Sequence, residues 1–363
     1  MSISTFESLG VRPMINCRGT YTTISASLLL PEVRQAMLDA SFKYVQIKEL
    51  QEKVGERLGE VMQCEFGLVT NGCAAAISQI TCACMAGDEP EKILRLPDTT
   101  GMRNEVVLQK CHQHGYNNAM RAAGAHMIAV ETLAEMEAAI GPDTAMLAVY
   151  GDAAERGEIS VAQMAEIGKR ENVPIFVDAA AERPDVPNRY LADGVDAVAY
   201  SGGKCLRGPQ SSGLLIGRRD LLWKAFLNGS PHHGLGRPQK ASREEIMGLL
   251  AAVEMWVQRD HEAEWKTWEQ WLDAIWQTVE HIPTITRDVR LPGRSNVAPI
   301  LQIGWDADTV GISPNEARQE LNDGEPRIEV ATHATGVEFM PFMMEEGEAA
   351  IVAERLLQIL ARR

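Results

Sequence analysis

The chain is 363 residues long and carries 50 acidic against 35 basic residues, a net charge of -15. That length can bury a large core, while the acidity repels a phosphate backbone, so nucleic acid is not an expected partner. The amino-terminal Met1-Ser2-Ile3-Ser4-Thr5-Phe6-Glu7 lacks the basic region and long apolar core of a signal peptide, and no later run reaches membrane-spanning length. A soluble, cytoplasmic protein with no membrane partner is expected. Seven cysteines are too few for a disulfide scaffold in a chain of this size, so reduced thiols are expected. His112 with His114, and His232 with His233, lack acidic or cysteine partners at recognisable metal-site spacing, and no metal is expected.

In chain order, residues 11–30 are polar and glycine-bearing without helical periodicity, which reads as an extended arm or loop. From 31 to 64 the apolar positions Val33, Met37, Val45, Leu50, Val54, Leu58 and Val61 recur mostly at helical spacing, predicting two helices. Phe66-Gly67-Leu68-Val69-Thr70 reads as a strand that turns through Asn71-Gly72-Cys73 into a helix. Small residues at a helix start admit an anion to free backbone N–H groups; they equally suit a helix packed closely on a sheet. A strand at 105–109 is followed by Cys111-His112-Gln113-His114, where either imidazole could lie against a flat ring.

Helices at 118–123, 133–140 and 161–171 then alternate with strands at 126–130, 145–150 and 174–178, and strands at 195–200 and 213–217 follow. This alternation predicts an α/β fold, a three-layer arrangement with a mostly parallel sheet covered on both faces. Residues 243–280 read as one long helical tract containing Trp256, Trp265, Trp268, Trp271 and Trp276, a pattern expected of a core or subunit seam. Strand-like runs at 300–303 and 327–331, a helix from Pro314 and a last helix at 346–360 suggest a smaller α+β carboxyl-terminal domain. The expected division is an arm and helix at 1–40, a large cofactor-binding domain at 41–240 and a small domain at 241–363.

The stretch Tyr200-Ser201-Gly202-Gly203-Lys204-Cys205-Leu206-Arg207-Gly208-Pro209-Gln210-Ser211-Ser212-Gly213 places one lysine on a tight loop between two strands. A loop lysine is ordinarily a surface charge. Here Asp178 ends a preceding strand, and in a doubly wound sheet the carboxyl ends of neighbouring strands share one edge. Pyridoxal 5'-phosphate needs a lysine to hold its aldehyde as a Schiff base, a carboxylate for its ring nitrogen and donors for its phosphate. Lys204 and Asp178 are the expected catalytic pair, with Asn71, Gly72, Cys73 and Ser201 around the phosphate. Ala180 would lie on one ring face and His112 or His114 on the other.

Val177-Asp178-Ala179-Ala180-Ala181, Ser201-Gly202-Gly203-Lys204 and Gly208-Pro209-Gln210-Ser211-Ser212-Gly213 resemble the pyridoxal-phosphate enzymes of the selenocysteine synthase (bacterial selenium transferase) group, of the aspartate aminotransferase fold. The nearest branch is the D-glucosaminate-6-phosphate ammonia-lyase type. Ile15-Asn16-Cys17-Arg18-Gly19-Thr20, Thr70-Asn71-Gly72 and Gly236-Arg237-Pro238-Gln239-Lys240 share the likeness. The resemblance implies a homodimer or larger homo-oligomer with active sites at subunit seams. The loop at 230–240 would then carry His233, Arg237 or Lys240 toward a partner. It implies a lyase acting by Cα deprotonation and α,β-elimination on an amino acid or amino-sugar acid, with racemase, aldolase or transferase chemistry as alternatives. The extra amino-terminal RNA-binding region of the selenium transferases is not expected here, and the acidity fits badly with a charged tRNA, so a small substrate is expected. Arg18, Arg207 and Arg327 are the available carboxylate or phosphate clamps.

Overall fold

The computed structural model describes residues 3–361. They form two compact units, one spanning Leu28–Arg259 and the other combining the segment up to Ser27 with the segment from Asp260 onward.

The larger unit is built on a seven-stranded sheet. Its strands run in the order Phe66–Thr70, Gly213–Gly217, Ala197–Ser201, Ile175–Asp178, Thr144–Tyr150, Glu105–Gln109 and His126–Val130. Gly213–Gly217 is antiparallel to both neighbours and every other pairing is parallel. The sheet is therefore mostly parallel, as the alternation predicted. Four of these strands, Phe66–Thr70, Thr144–Tyr150, Ile175–Asp178 and Gly213–Gly217, bury every residue, which is the pattern of a sheet covered on both faces.

Gly72–Ala86 is buried over nearly its whole circumference, and its alanines, serine and cysteines are small enough to lie close on the sheet. Cys73, Ala76, Ile77 and Ile80 share a core with Ala148, Tyr150, Phe176 and Ala199, so the helix covers the face from which these strand side chains project. The two helices predicted at 31–64 are Pro31–Ser41 and Ile47–Met62, and the first packs on Arg243–Gln258 inside this unit.

The single helical tract expected at 243–280 is divided, and this corrects the sequence reading. Arg243–Gln258 starts on a capping box between Ser242 and Glu245. A new helix, His261–Val279, begins at Asp260, whose carboxylate accepts the Ala263 N–H at 3.0 Å. Trp256 is buried and its indole N–H reaches the Pro184 carbonyl at 2.9 Å, while Trp268 packs edge-on against Phe342 with 5.6 Å between ring centroids. Both satisfy the packing role expected of them.

In the smaller unit, the strands Ala331–His333, Gly336–Phe339, Ile300–Gly304 and Thr286–Arg290 form an antiparallel sheet in that order. Met14–Asn16, within the segment read as an extended arm, pairs in parallel with Arg327–Glu329. Pro314–Asp323 and Glu348–Leu360 supply the expected helices.

Backbone meets backbone closely near the lysine loop at Gly213. A Cβ there would fall 2.6 Å from the Gly72 carbonyl carbon and 2.6 Å from Thr70 Oγ1. Backbone cannot yield as a flexible side chain does, so Gly213→Ala is expected to cost about 1–3 kcal/mol through overpacking. Gly141→Ala, where a Cβ meets nothing within 4 Å, serves as the control. Denaturant midpoints of the two variants measure the contrast.

Candidate active site

Asp178 and Lys204 are brought to the same edge of the sheet because the strands that precede them, Ile175–Asp178 and Ala197–Ser201, are parallel neighbours. Asp178 is buried, and its Oδ1 accepts the Ala180 N–H at 3.0 Å. Burial raises its carboxyl from 3.8 to about 6. The Ala180 N–H, the Lys204 ammonium and His114 pull the other way, and the Asp152 charge adds to the rise. The carboxylate is thus shielded from solvent and lies within electrostatic reach of the lysine.

The lysine loop is stitched by its own backbone. Lys204 N–H reaches the Ser201 carbonyl at 3.4 Å, Arg207 N–H returns to the Lys204 carbonyl at 3.0 Å, and Gly208 N–H bonds Gly202 O at 2.7 Å. Ser201 N–H meets the Ala180 carbonyl at 3.3 Å, which sets Ala180 beside the start of the loop. Cys205 is buried, its thiol donating to the Glu182 carbonyl at 3.1 Å, and burial pushes it up to about 12. That is the inert, packed thiol expected of an apolar setting.

The side chain of Asn71 ties loops together at the helix start. Its amide donates to the carbonyls of Ser211 at 3.2 Å and Lys240 at 3.3 Å, so it draws the lysine loop and the 230–240 loop to the start of the helix. Gly72 has φ +80, with no atom within 4 Å of an added Cβ, leaving open space at the first turn of Gly72–Ala86. Cys73 is buried beside Asp178, and burial followed by that carboxylate's charge pushes its thiol well up.

The two histidines separate clearly. His112 is buried, its Nδ1 accepting the Tyr150 N–H at 3.2 Å, and burial pulls it down to about 4, so it is neutral at physiological pH. Its Nε2 has no hydrogen-bond partner among the described residues. His114 is exposed, stacks on Tyr116 and packs on Tyr150, each at 5.2 Å between centroids, and acts on the charge of Asp178.

The arginines are engaged. Arg207, at φ +55, donates through Nε to the Leu28 carbonyl at 3.0 Å. In the smaller unit, Arg18 pairs with Glu329 at 2.7 Å with its guanidinium 5.1 Å from the Tyr21 ring centroid, and Arg327 Nε donates to Asn322 O at 3.2 Å. His233, Arg237 and Lys240 are exposed on their loop. Sequence reasoning missed Tyr150, a polar tip at the carboxyl end of a core strand whose register partner is Asp178. That position, one strand over from the key carboxylate, was the available signal.

A family model for aminotransferase class-V matches residues 105–283. The D-glucosaminate-6-phosphate ammonia lyase of Salmonella typhimurium is 27% identical over 99% of this chain and 98% of the relative. The 5'-C-glycyluridine monooxygenase-decarboxylase of a Streptomyces species is 28% identical over 98% of this chain and 92% of its own. The L-seryl-tRNA(Sec) selenium transferase of Moorella thermoacetica is 28% identical over 78% of this chain, which spans 60% of that relative's length. A solved structure of D-glucosaminate-6-phosphate ammonia-lyase superposes with a TM-score of 0.89 at 27% identity, covering 99% of both chains. The expected fold class, and the resemblance to the D-glucosaminate-6-phosphate ammonia-lyase and selenium-transferase group, are borne out by these relationships.

Because burial lifts the Asp178 carboxyl above its open-chain value, ionising it costs folding free energy as pH rises from about 4 to about 6. In cofactor-free protein, Asp178→Asn is therefore expected to raise stability above pH 6 by about 3 kcal/mol at most. The margin shrinks to nothing below pH 4, where the carboxyl is neutral in both states. Unfolding at pH 4 and pH 7.5 checks the sign, and a pH-independent margin would refute it.

Proposed function

We propose that this chain is a pyridoxal-phosphate-dependent lyase that removes the Cα proton of an amino acid or amino-sugar acid and expels its β-substituent. The observation that carries this reading is a buried carboxylate, Asp178, beside Lys204 at the carboxyl edge of a parallel sheet. The residues present fit the cofactor. Asp178 is a buried carboxylate, Tyr150 Oη and His112 Nε2 are buried without partners among the described residues, and open space lies at the first turn of Gly72–Ala86. When bound, pyridoxal phosphate supplies an electron sink for the pair left as a Cα bond breaks.

The chain's own residues do the rest. Lys204 anchors the aldehyde and then moves the proton at the substrate Cα. Asp178 keeps the ring nitrogen protonated, which a buried anion does strongly because no water competes for it. Backbone N–H groups of the Gly72 turn, with Ser201, receive the phosphate, and Cys73 packs behind them. Ala180 is small enough to lie against one ring face while His114, backed by Tyr150 and Tyr116, faces the other. Arg207 remains the substrate clamp of this reading within the larger unit, having to exchange the Leu28 carbonyl for a substrate anion.

Among the described residues no helix is long and apolar enough to cross a membrane. A small-molecule substrate and a homo-oligomer complete the reading. Tyr44 and Val45, 96% and 49% exposed, line a groove of about 630 Å³ with Glu49, Leu50 and Lys53, and Phe42, two residues earlier in the chain, is 75% exposed. A second copy related by a two-fold axis would cover these apolar side chains and set Glu49 against Lys53. His233 and Arg237 are free to face such a partner, whereas Lys240 is tied by its carbonyl to Asn71 of its own chain.

Borohydride treatment of native, yellow protein is expected to fix the cofactor to Lys204 and abolish turnover, read by peptide mass spectrometry. Labelling of another lysine would overturn the assignment. Candidate amino acids and phosphorylated amino-sugar acids should yield ammonia with a keto acid, while an inverted enantiomer or a freed aldehyde would favour racemase or aldolase chemistry. Combined Phe42→Ser and Tyr44→Glu is expected to give monomers by light scattering; an unchanged mass would put the seam elsewhere.

A further inference from the structure

The amino edge of the seven-stranded sheet, opposite the edge that carries Asp178 and Lys204, holds a cavity of about 730 Å³ lined only by residues of the larger unit. Arg103, Ala145, Pro174 and Asp196 reach it from the starts of four neighbouring parallel strands. Gly72–Ala86 ends against it through Met85 and Ala86, and Val161–Glu171 through Gly168 and Lys169. The strand Ile175–Asp178 separates it from the Asp178 carboxylate by roughly 13 Å at ~3.3 Å per residue, so it is a place apart from the candidate active site.

The chain carries a net charge of -15, yet the free charge in this cavity is positive. Its acids are already held. Arg218 pairs with Asp196 at 2.7 Å and with Asp220 at 2.8 Å, and Asp196 also accepts the Ile175 N–H at 2.8 Å. Lys92 holds Glu89 at 2.6 Å. Three further cations line the same space. Lys224 lies 4.0 Å from the Asp220 that Arg218 engages, while the side chains of Arg103 and Lys169 have no hydrogen bond or ion pair among the described residues. A lysine in the last turn of a helix complements the helix dipole, which accounts for Lys224 and in part for Lys169. Arg103 lies in the loop before Glu105–Gln109 and has no such role. A free guanidinium beside free ammonium groups in a cavity is a partner for an anion that it can grip with two donors.

The rest of the lining says which anion. The volume exceeds that of a bare ion and falls in the range of small-molecule sites, about 300–1,000 Å³. None of the described residues that line it is aromatic, so a nucleobase would have no ring to stack on. Acceptors are plentiful: the last carbonyls of both helices lack intrahelical donors, and Asn172 and Glu89 add side-chain oxygens. Acceptors beside cations suit a molecule with hydroxyl donors at one end and an anion at the other. We propose that this cavity is a second ligand site, for the phosphate ester of an aliphatic polyol or sugar, with the phosphate on Arg103 and Lys169 and the hydroxyls on the helix-end carbonyls and Glu89. The inference is independent of the cofactor reading.

Sorbitol 6-phosphate tests it, because it has neither the amine nor the carbonyl needed to react at Lys204. Calorimetric titration of the purified protein is expected to show one molecule bound per chain. Arg103→Gln and Lys169→Gln are each expected to weaken binding about tenfold, while Arg207→Gln at the other edge leaves it unchanged. Arg103 and Lys169 are exposed, so both variants are expected to fold, and the wild-type protein decides in any case. No binding to wild type, or equal binding of uncharged sorbitol, would overturn the inference. So would Arg103→Gln binding as wild type does. Inorganic phosphate is expected to bind about tenfold more weakly than the ester; equal affinity would overturn the assignment and leave an adventitious ion only.

Discussion

A buried carboxylate governs the larger unit. Asp178 ends a fully buried strand and accepts one backbone hydrogen bond from Ala180, and burial holds its carboxyl near 6. Such a group is costly to ionise unless a cation or a strong donor meets it. The neighbouring architecture supplies those conditions: Lys204 one parallel strand away, His114 within electrostatic reach, and a phenol on the next strand. A protonated ring nitrogen is the kind of partner that turns this cost into binding energy.

The geometry around Asp178 depends on close backbone approach. Gly213 lies against Gly72, and Gly202 leaves room for Ser212, whose Oγ would be 2.0 Å from an added Cβ. Asn71 spends its side chain on the carbonyls of Ser211 and Lys240. The lysine loop, the helix start and the 230–240 loop are thereby held as one assembly, and the first-turn N–H groups of Gly72–Ala86 remain for an anion. Rigid backbone does the positioning, which suits a site that must hold a flat ring at several points at once.

The arginines illustrate how far chemistry can be read from residue type. Three guanidiniums looked available as substrate clamps, yet Arg207 fastens the lysine loop to Leu28, Arg18 is paired with the buried Glu329, and Arg327 satisfies the end of Pro314–Asp323. A guanidinium's donors are equally good for carbonyls and for carboxylates, so sequence alone does not separate a tie from a clamp. The long tryptophan-bearing tract shows the same limit at the level of elements. Helical periodicity passes through 259–260 without interruption, and only the Asp260 cap divides it.

Much of this protein was determined by its sequence alone. Alternating apolar runs and helical repeats specify a mostly parallel sheet covered on both faces, because only that arrangement buries strands apolar throughout. The Gly-Gly-Lys loop and a strand-ending aspartate specify the cofactor's chemistry, because a lysine and a carboxylate at neighbouring strand ends must share an edge. What only the tertiary structure decided is which neighbours matter. Strand order brings Tyr150 to Asp178, register aims both to one face, and the buried Tyr150 hydroxyl has no partner among the described residues. These are relations between segments far apart in the chain, and local periodicity carries no record of which strand lies beside which.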